Sequence, residues 1–147
     1  MKYTSTPSIA QSNSLVSHYG AYIDKIDWTF YCTFSTRYPL TLKLARTYME
    51  RLHIFLEVNL KLCNNIFWVA EPFDSKYGYH IHTVVKLNCD YPHNNAEILN
   101  KAWQIVTKGS NGKMYNRTSI EPYKPNMGGN FYLTKYIGRR DIDYDFF

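Results

Sequence analysis

Two apolar runs separated by a short breaker constrain this chain more than any other feature. Ile66 to Glu71 reads IFWVAE and Tyr79 to Leu87 reads YHIHTVVKL, with Pro72 and a turn-forming stretch from Asp74 to Gly78 between them. Runs of this length, rich in β-branched and aromatic residues and bounded by Pro and Gly, favour extended backbone, and so short a break favours an antiparallel return. The spacing predicts a hairpin that brings Glu71 back beside the second run. Residues two apart on a strand point to one side. His80 and His82 therefore project together, while Ile81 opposes them.

Two imidazoles at this separation make half of a divalent-metal site, and a carboxylate from the paired strand adds a hard ligand. Glu71, His80 and His82 are the candidate metal ligands on this reading. A carboxylate and two imidazoles, with positions left open, suit Mg²⁺ or Mn²⁺ acting as a Lewis acid on a phosphoryl oxygen. The set lacks the thiolates of most structural zinc sites. The plainer alternative is a hydrogen-bonded histidine pair near a surface carboxylate.

Around the hairpin, Trp28 to Ser35 (WTFYCTFS) alternates as a strand. Its pattern places Trp28, Phe30, Cys32 and Phe34 on one face and Thr29, Tyr31, Thr33 and Ser35 on the other. Thr41 is a fitting cap for a helix to about Val58, with Leu42, Ala45, Met49, Leu52 and Leu56 at helical spacing. Asn94-x-x-Glu97 resembles a capping box opening a helix from about Asn95 to Thr107, with Ile98, Leu99, Ala102, Trp103 and Val106 turned inward. Arg117 to Tyr123 reads as a further strand. PNMGGN, Pro125 to Asn130, breaks the chain before a last helix from Phe131 to about Gly138. Ser14 to Ile23 suits a short helix, and the Ser-rich residues before it read as a mobile extension. The acidic-aromatic tail from Asp141 to Phe147 is assigned no element.

Strand, helix, strand, strand, helix, strand and helix in that order describe an α+β fold, an antiparallel β-sheet with helices packed on it. A length of 147 residues suits one core. The expected organisation is an extension over 1–25, one domain over 26–140 and a tail over 141–147.

The second constellation is Tyr132-Leu133-Thr134-Lys135-Tyr136. At helical spacing Tyr132, Lys135, Tyr136 and Arg139 share a side, and Leu133 and Ile137 can face a core. Two phenols beside two cations suit phosphate chemistry, because a nearby positive charge favours the phenolate. An amphipathic surface helix with ordinary tyrosines is the plainer alternative. Charge points the same way. Of the net +5, the segment from Lys101 to Arg140 carries eight cations (Lys101, Lys108, Lys113, Arg117, Lys124, Lys135, Arg139 and Arg140) against the single carboxylate of Glu121. So uneven a distribution favours a polyanionic partner. Aromatic residues make up 17% of the chain, enough both to fill a core and to stack on unpaired bases. Tyr31 and Trp68 are candidates for stacking, and Arg117, Lys124 and Arg139 for phosphate contact.

Three dispersed cysteines, Cys32, Cys63 and Cys89, exclude a disulfide framework and suit a reducing compartment. The sequence offers no secretory signal and no apolar stretch approaching the roughly 20 residues of a bilayer span.

These motifs together resemble the HUH endonucleases, specifically the replication-initiator (Rep) branch that starts rolling-circle replication. FYCTFST (Phe30 to Thr36) is similar to the first-strand motif, YHIHTVV (Tyr79 to Val85) to the metal-binding motif, and YLTKYI (Tyr132 to Ile137) to the Tyr-x-x-Lys nucleophile motif. They stand in the order of that branch and cover about Trp28 to Arg140. The resemblance implies a ferredoxin-like or RNA-recognition-motif-like sheet with a metal site on its open face. It implies Glu71, His80 and His82 as ligands to Mn²⁺ or Mg²⁺, and Tyr132 as the nucleophile that takes a 5′-phosphate and frees a 3′-hydroxyl. Lys135 would hold the phosphate or position the tyrosine, and Tyr136 would stand as a possible second nucleophile.

The expected partner is single-stranded DNA or an origin hairpin, with host helicase or polymerase as further partners. The expected compartment is the cytoplasm in a bacterial, phage or plasmid setting, or the nucleus for a eukaryotic virus. No helicase motif follows, so the expectation is a minimal nicking domain or a fragment of a longer initiator. Two rivals explain parts of the pattern. A non-catalytic single-stranded nucleic-acid-binding module accounts for charge and aromatics but gives the triad no shared purpose. An HUH transposase shares the metal pair, yet Lys135 stands where those proteins usually carry Gln.

Overall fold

The computed structural model describes residues 18, 20–88, 92–108, 115, 117–125, 133–134, 137 and 141–147. Five strands and two long helices form the frame: β1 (Phe30–Phe34), α1 (Leu42–Ile54), β2 (Asn64–Pro72), β3 (Tyr79–Leu87), α2 (Pro92–Val106), β4 (Ser119–Pro122) and β5 (Asp143–Phe146). The sheet order is β4-β1-β3-β2-β5, and every adjacent pair is antiparallel. The first four strands with their two helices follow the ferredoxin-like β-α-β-β-α-β path, in which β3 is inserted between β1 and β2. The fold is therefore the α+β class expected from the order of elements.

Period-two alternation divides the sheet's side chains between two cores. On one face Phe30, Cys32, Phe34, Ile66, Trp68, Ala70, Ile81 and Val85 pack against Ala45, Met49 and Leu52 of α1 and Leu99, Ala102 and Trp103 of α2. Trp103 stacks on Phe34 at 4.4 Å between ring centroids, and its indole N–H donates to the Ser35 carbonyl at 2.9 Å. The helices thus cover the face predicted by the apolar residues of β1. On the opposite face Phe67, Val69, Val84 and Tyr144 pack with Ile23, Trp28, Leu133, Ile137 and Ile142.

Helix α1 begins as its sequence predicts. The Thr41 hydroxyl accepts from the Leu44 amide at 3.1 Å, which satisfies one of the N-terminal amides that a helix leaves unpaired. After Ile54 the winding loosens into a π-helical turn over Phe55–Asn59, with the Leu60 amide donating to the Phe55 carbonyl. Leu56 stays fully buried through this turn.

Four sequence expectations change. Trp28 belongs to the opposite core from Phe30, because regular pairing begins only at Phe30 and the Trp28 indole N–H is drawn to the Ile23 carbonyl at 2.8 Å. Helix α2 opens at Pro92, so Asn94 lies inside it rather than capping it. Proline has no amide to lose at a first helical position, and its ring presets φ. Trp68 is completely buried beneath α1, where the Arg46 guanidinium lies 5.2 Å from its ring centroid, so it is core and no surface for bases. Finally, the tail supplies β5, paired with β2 from Phe67↔Phe146 to Ala70↔Asp143. The predicted helix over Ser14 to Ile23 is seen as helical residues at 18 and 20–24, and that after the PNMGGN breaker at 133–134. The rest of both predicted helices lies outside the described residues, apart from Ile137.

Candidate metal centre

Strand register assembles the centre. Glu71 pairs with His80 and Val69 with His82 across β2 and β3, while Thr33 of β1 pairs with His82 from the other side. Directly opposed residues in an antiparallel sheet share a face, so Glu71, His80, His82, Tyr31 and Thr33 all stand on the face away from α1 and α2. The turn that sets this register depends on Gly78. Its φ of +108° disfavours a side chain, and an added Cβ would meet the Pro39 Cβ at 2.9 Å.

Within the cluster, Glu71 Oε1 lies 2.8 Å from His80 Nε2 and 2.6 Å from His82 Nε2. Glu71 and His82 are buried, and His80 is half-buried. Burial alone would raise the Glu71 pKa, but hydrogen bonds from His80 and His82 and their charge outweigh it and hold the carboxyl at about 2. A carboxylate kept ionised under cover is a good hard ligand.

The three residues each offer one donor atom, all within 4.8 Å of one another. Around an ion with bonds of about 2.1 Å, neighbouring donors sit about 3 Å apart. The two Glu71–imidazole separations fall short of this by only a few tenths of an ångström, so small side-chain adjustments would admit an ion. Next to the cluster, His82 Nδ1 lies 3.3 Å from Thr33 Oγ1 and 3.5 Å from the Tyr31 hydroxyl. Those hydroxyls hold the ring by its far nitrogen and direct Nε2 toward Glu71, the usual support for a metal-ligating histidine. His80 Nδ1 is buried and has no hydrogen-bond partner among the described residues. Glu71, His80 and His82 can therefore hold a metal ion.

The remaining candidates are distributed unevenly. Tyr31 is half-buried on the triad's face, its ring centroid 6.4 Å from that of His82. Arg117 is exposed just before β4, at the end of the sheet nearest His80, and its guanidinium lies 5.5 Å from the Phe73 ring centroid. Lys124 follows β4 at the opposite end, next to Tyr123, whose amide donates to the Thr29 carbonyl. Tyr132, Lys135, Tyr136 and Arg139 lie outside the described residues. Their sequence neighbours Leu133 and Ile137 are buried in the core on the triad's face.

Sequence reasoning passed over Thr33 as a support for His82, although its alternation with Tyr31 already put it on the right face. It also passed over Phe73, whose ring lies 4.5 Å from that of His80. Phe73 follows Pro72 in the turn, where no periodicity assigns a direction.

Compared with models of known protein families, with curated proteins and with solved structures, the chain has no match to any. Among the described residues, no helix is long and apolar enough to cross a membrane.

Proposed function

We propose that the chain nicks and rejoins single-stranded DNA through a covalent 5′-phosphotyrosine, the reaction that initiates rolling-circle replication. One observation carries this reading. A carboxylate and two imidazoles converge on the sheet face that also buries Leu133 and Ile137, the residues interleaved with Tyr132, Lys135 and Tyr136 in the Tyr-x-x-Lys motif. The fold is also the one that the resemblance to replication initiators implies.

In this mechanism Glu71, His80 and His82 would hold Mn²⁺ or Mg²⁺, which when bound would supply Lewis-acid polarisation of the scissile phosphate. Tyr31 and Thr33 keep the His82 ring in place. The Tyr132 oxygen attacks phosphorus and its proton passes to solvent. The bond from phosphorus to the 3′-oxygen breaks, and that oxygen leaves as a hydroxyl after taking up a proton. Lys135 neutralises the phosphate or orients Tyr132. The phosphotyrosine conserves the bond, so a 3′-hydroxyl can reverse the step without ATP. Tyr136, four residues on in the sequence, is the candidate for a second transfer.

The test uses the protein, Mn²⁺ and a randomised single-stranded oligonucleotide library, with adducts resolved on a denaturing gel. A slow-migrating covalent species is expected, and Tyr132→Phe, His80→Ala or EDTA should each abolish it. Loss on Tyr136→Phe with retention on Tyr132→Phe would move the nucleophile. Binding without any adduct would leave a non-catalytic single-strand-binding module.

A further inference from the structure

One end of the sheet carries aromatic and cationic groups that the nicking chemistry leaves without a role. The segment from Ser35 to Leu40, the β2–β3 turn and the residues before β4 meet there. The Ser35 amide donates to Thr118 Oγ1 at 3.0 Å, the Tyr79 amide donates to the Leu40 carbonyl at 3.1 Å, and Gly78 abuts Pro39. On this platform Tyr38 and Tyr77 are 71% and 76% exposed, far more than ring packing requires. Lys76 Nζ lies 4.3 Å and the Arg117 guanidinium 5.5 Å from the centroid of the Phe73 ring, which itself lies against His80. Arg37 lies over the Tyr38 ring at 5.5 Å. Asp74 is the only acidic residue between Pro72 and Gly78.

We propose that Arg37, Tyr38, Phe73, Lys76, Tyr77 and Arg117 form the subsite that binds the single-stranded DNA flanking the scissile phosphate on the His80 side of the metal centre. This deepens the nicking proposal and rests on it for the substrate class. Exposed rings interleaved with cations are what an unpaired strand needs, since bases stack on the rings while phosphates meet the charges. Phe73 links the two regions, with one neighbour a candidate metal ligand and the others the two cations. The strand therefore passes over the β2–β3 turn as it leaves the metal, and Lys124, at the other end of β4, stays outside this subsite.

Fluorescence anisotropy with a labelled mixed-sequence single-stranded oligonucleotide, in EDTA, tests the subsite without catalysis. Tyr38→Ala/Tyr77→Ala removes two exposed rings and should weaken binding by about thirtyfold or more. Lys76→Ala/Arg117→Ala should reduce the slope of log affinity against log salt by about 1.4, or about 0.7 per cation. Lys43→Ala/Arg51→Ala, on the helix α1 that covers the other face, should leave affinity within twofold of wild type. Rim variants that bind like wild type, or a helix-side variant that weakens binding equally, would overturn the subsite. If those variants bind normally while wild type still forms the tyrosine adduct, the subsite is wrong and the nicking proposal stands. If binding depends on the rim but no adduct forms, the subsite stands and the nicking proposal falls. Wild type that fails to bind the oligonucleotide overturns both.

Discussion

Adding Mn²⁺ to the metal-free protein should raise its melting temperature, by an amount the site's architecture lets one estimate. The three donors come together only when β2 and β3 are paired in register, so the unfolded chain has no comparable site. A ligand that binds only the folded state, at a free concentration a hundred times its Kd, stabilises by about 2.7 kcal/mol. For a chain of 147 residues, about 3 °C accompanies each kcal/mol, so the midpoint should rise by about 8 °C. Coordination must displace the short contacts of Glu71 with His80 and His82, and this cost lies within the measured Kd. The assay is thermal denaturation followed by circular dichroism across a Mn²⁺ titration, with EDTA reversal. Glu71→Gln keeps the shape of the side chain but removes its charge, and should lose most of the rise. Acid should weaken binding too, because each ligating imidazole must give up its proton. An unchanged midpoint at millimolar Mn²⁺, or an equal rise in Glu71→Gln, would refute the reasoning.

Two further outcomes follow from other groups. Arg46 makes paired hydrogen bonds to the buried Asp143 at 2.7 and 2.9 Å and another to Asp145 at 2.8 Å. Removing one partner of a buried pair strands the other, so Arg46→Met should cost about 3 kcal/mol, or about 9 °C in melting temperature, and Arg46→Met/Asp143→Asn should regain much of it; a single variant that melts with wild type would refute this. Glu71, held at about 2 against its ordinary 4.5, contributes stability that is fully present above pH 4.5 and is lost as pH falls through 2. In EDTA, denaturant melts of wild type should therefore lose more stability across that window than those of Glu71→Gln, and parallel losses would contradict it.

Much of this arrangement is legible in the sequence because it depends on local rules. Period-two alternation identifies the hairpin and the common face of His80 and His82. The helical spacing of Ala45, Met49 and Leu52 identifies the face that α1 buries, and Thr41 marks where the helix begins. The illegible parts depend on distant partners. The segment DYDF alternates acid with aromatic, but four residues are too few for the period to decide, and Asp is depleted in strands. It becomes a strand because Tyr144 and Phe146 find the core beside Phe67 and Val69, while Asp143 and Asp145 find Arg46 on the other face. Trp28 likewise depends on Ile23, beyond the reach of alternation. The direction of Phe73 is set by His80, Lys76 and Arg117, of which only Lys76 is its near neighbour in sequence.

The insertion of β3 between β1 and β2 has a consequence for the lifetime of the imidazole arrangement. Backbone opening starts at edges and termini, where amides have fewest partners. His80 and His82 ride on the centre of the sheet, and the full length of β3 is zipped to β2. Loosening of β4 or β5 would uncover a flank and leave the histidine strand stitched in place. The two rings should keep their spacing while the sheet's edges breathe, and part only when the whole domain comes undone.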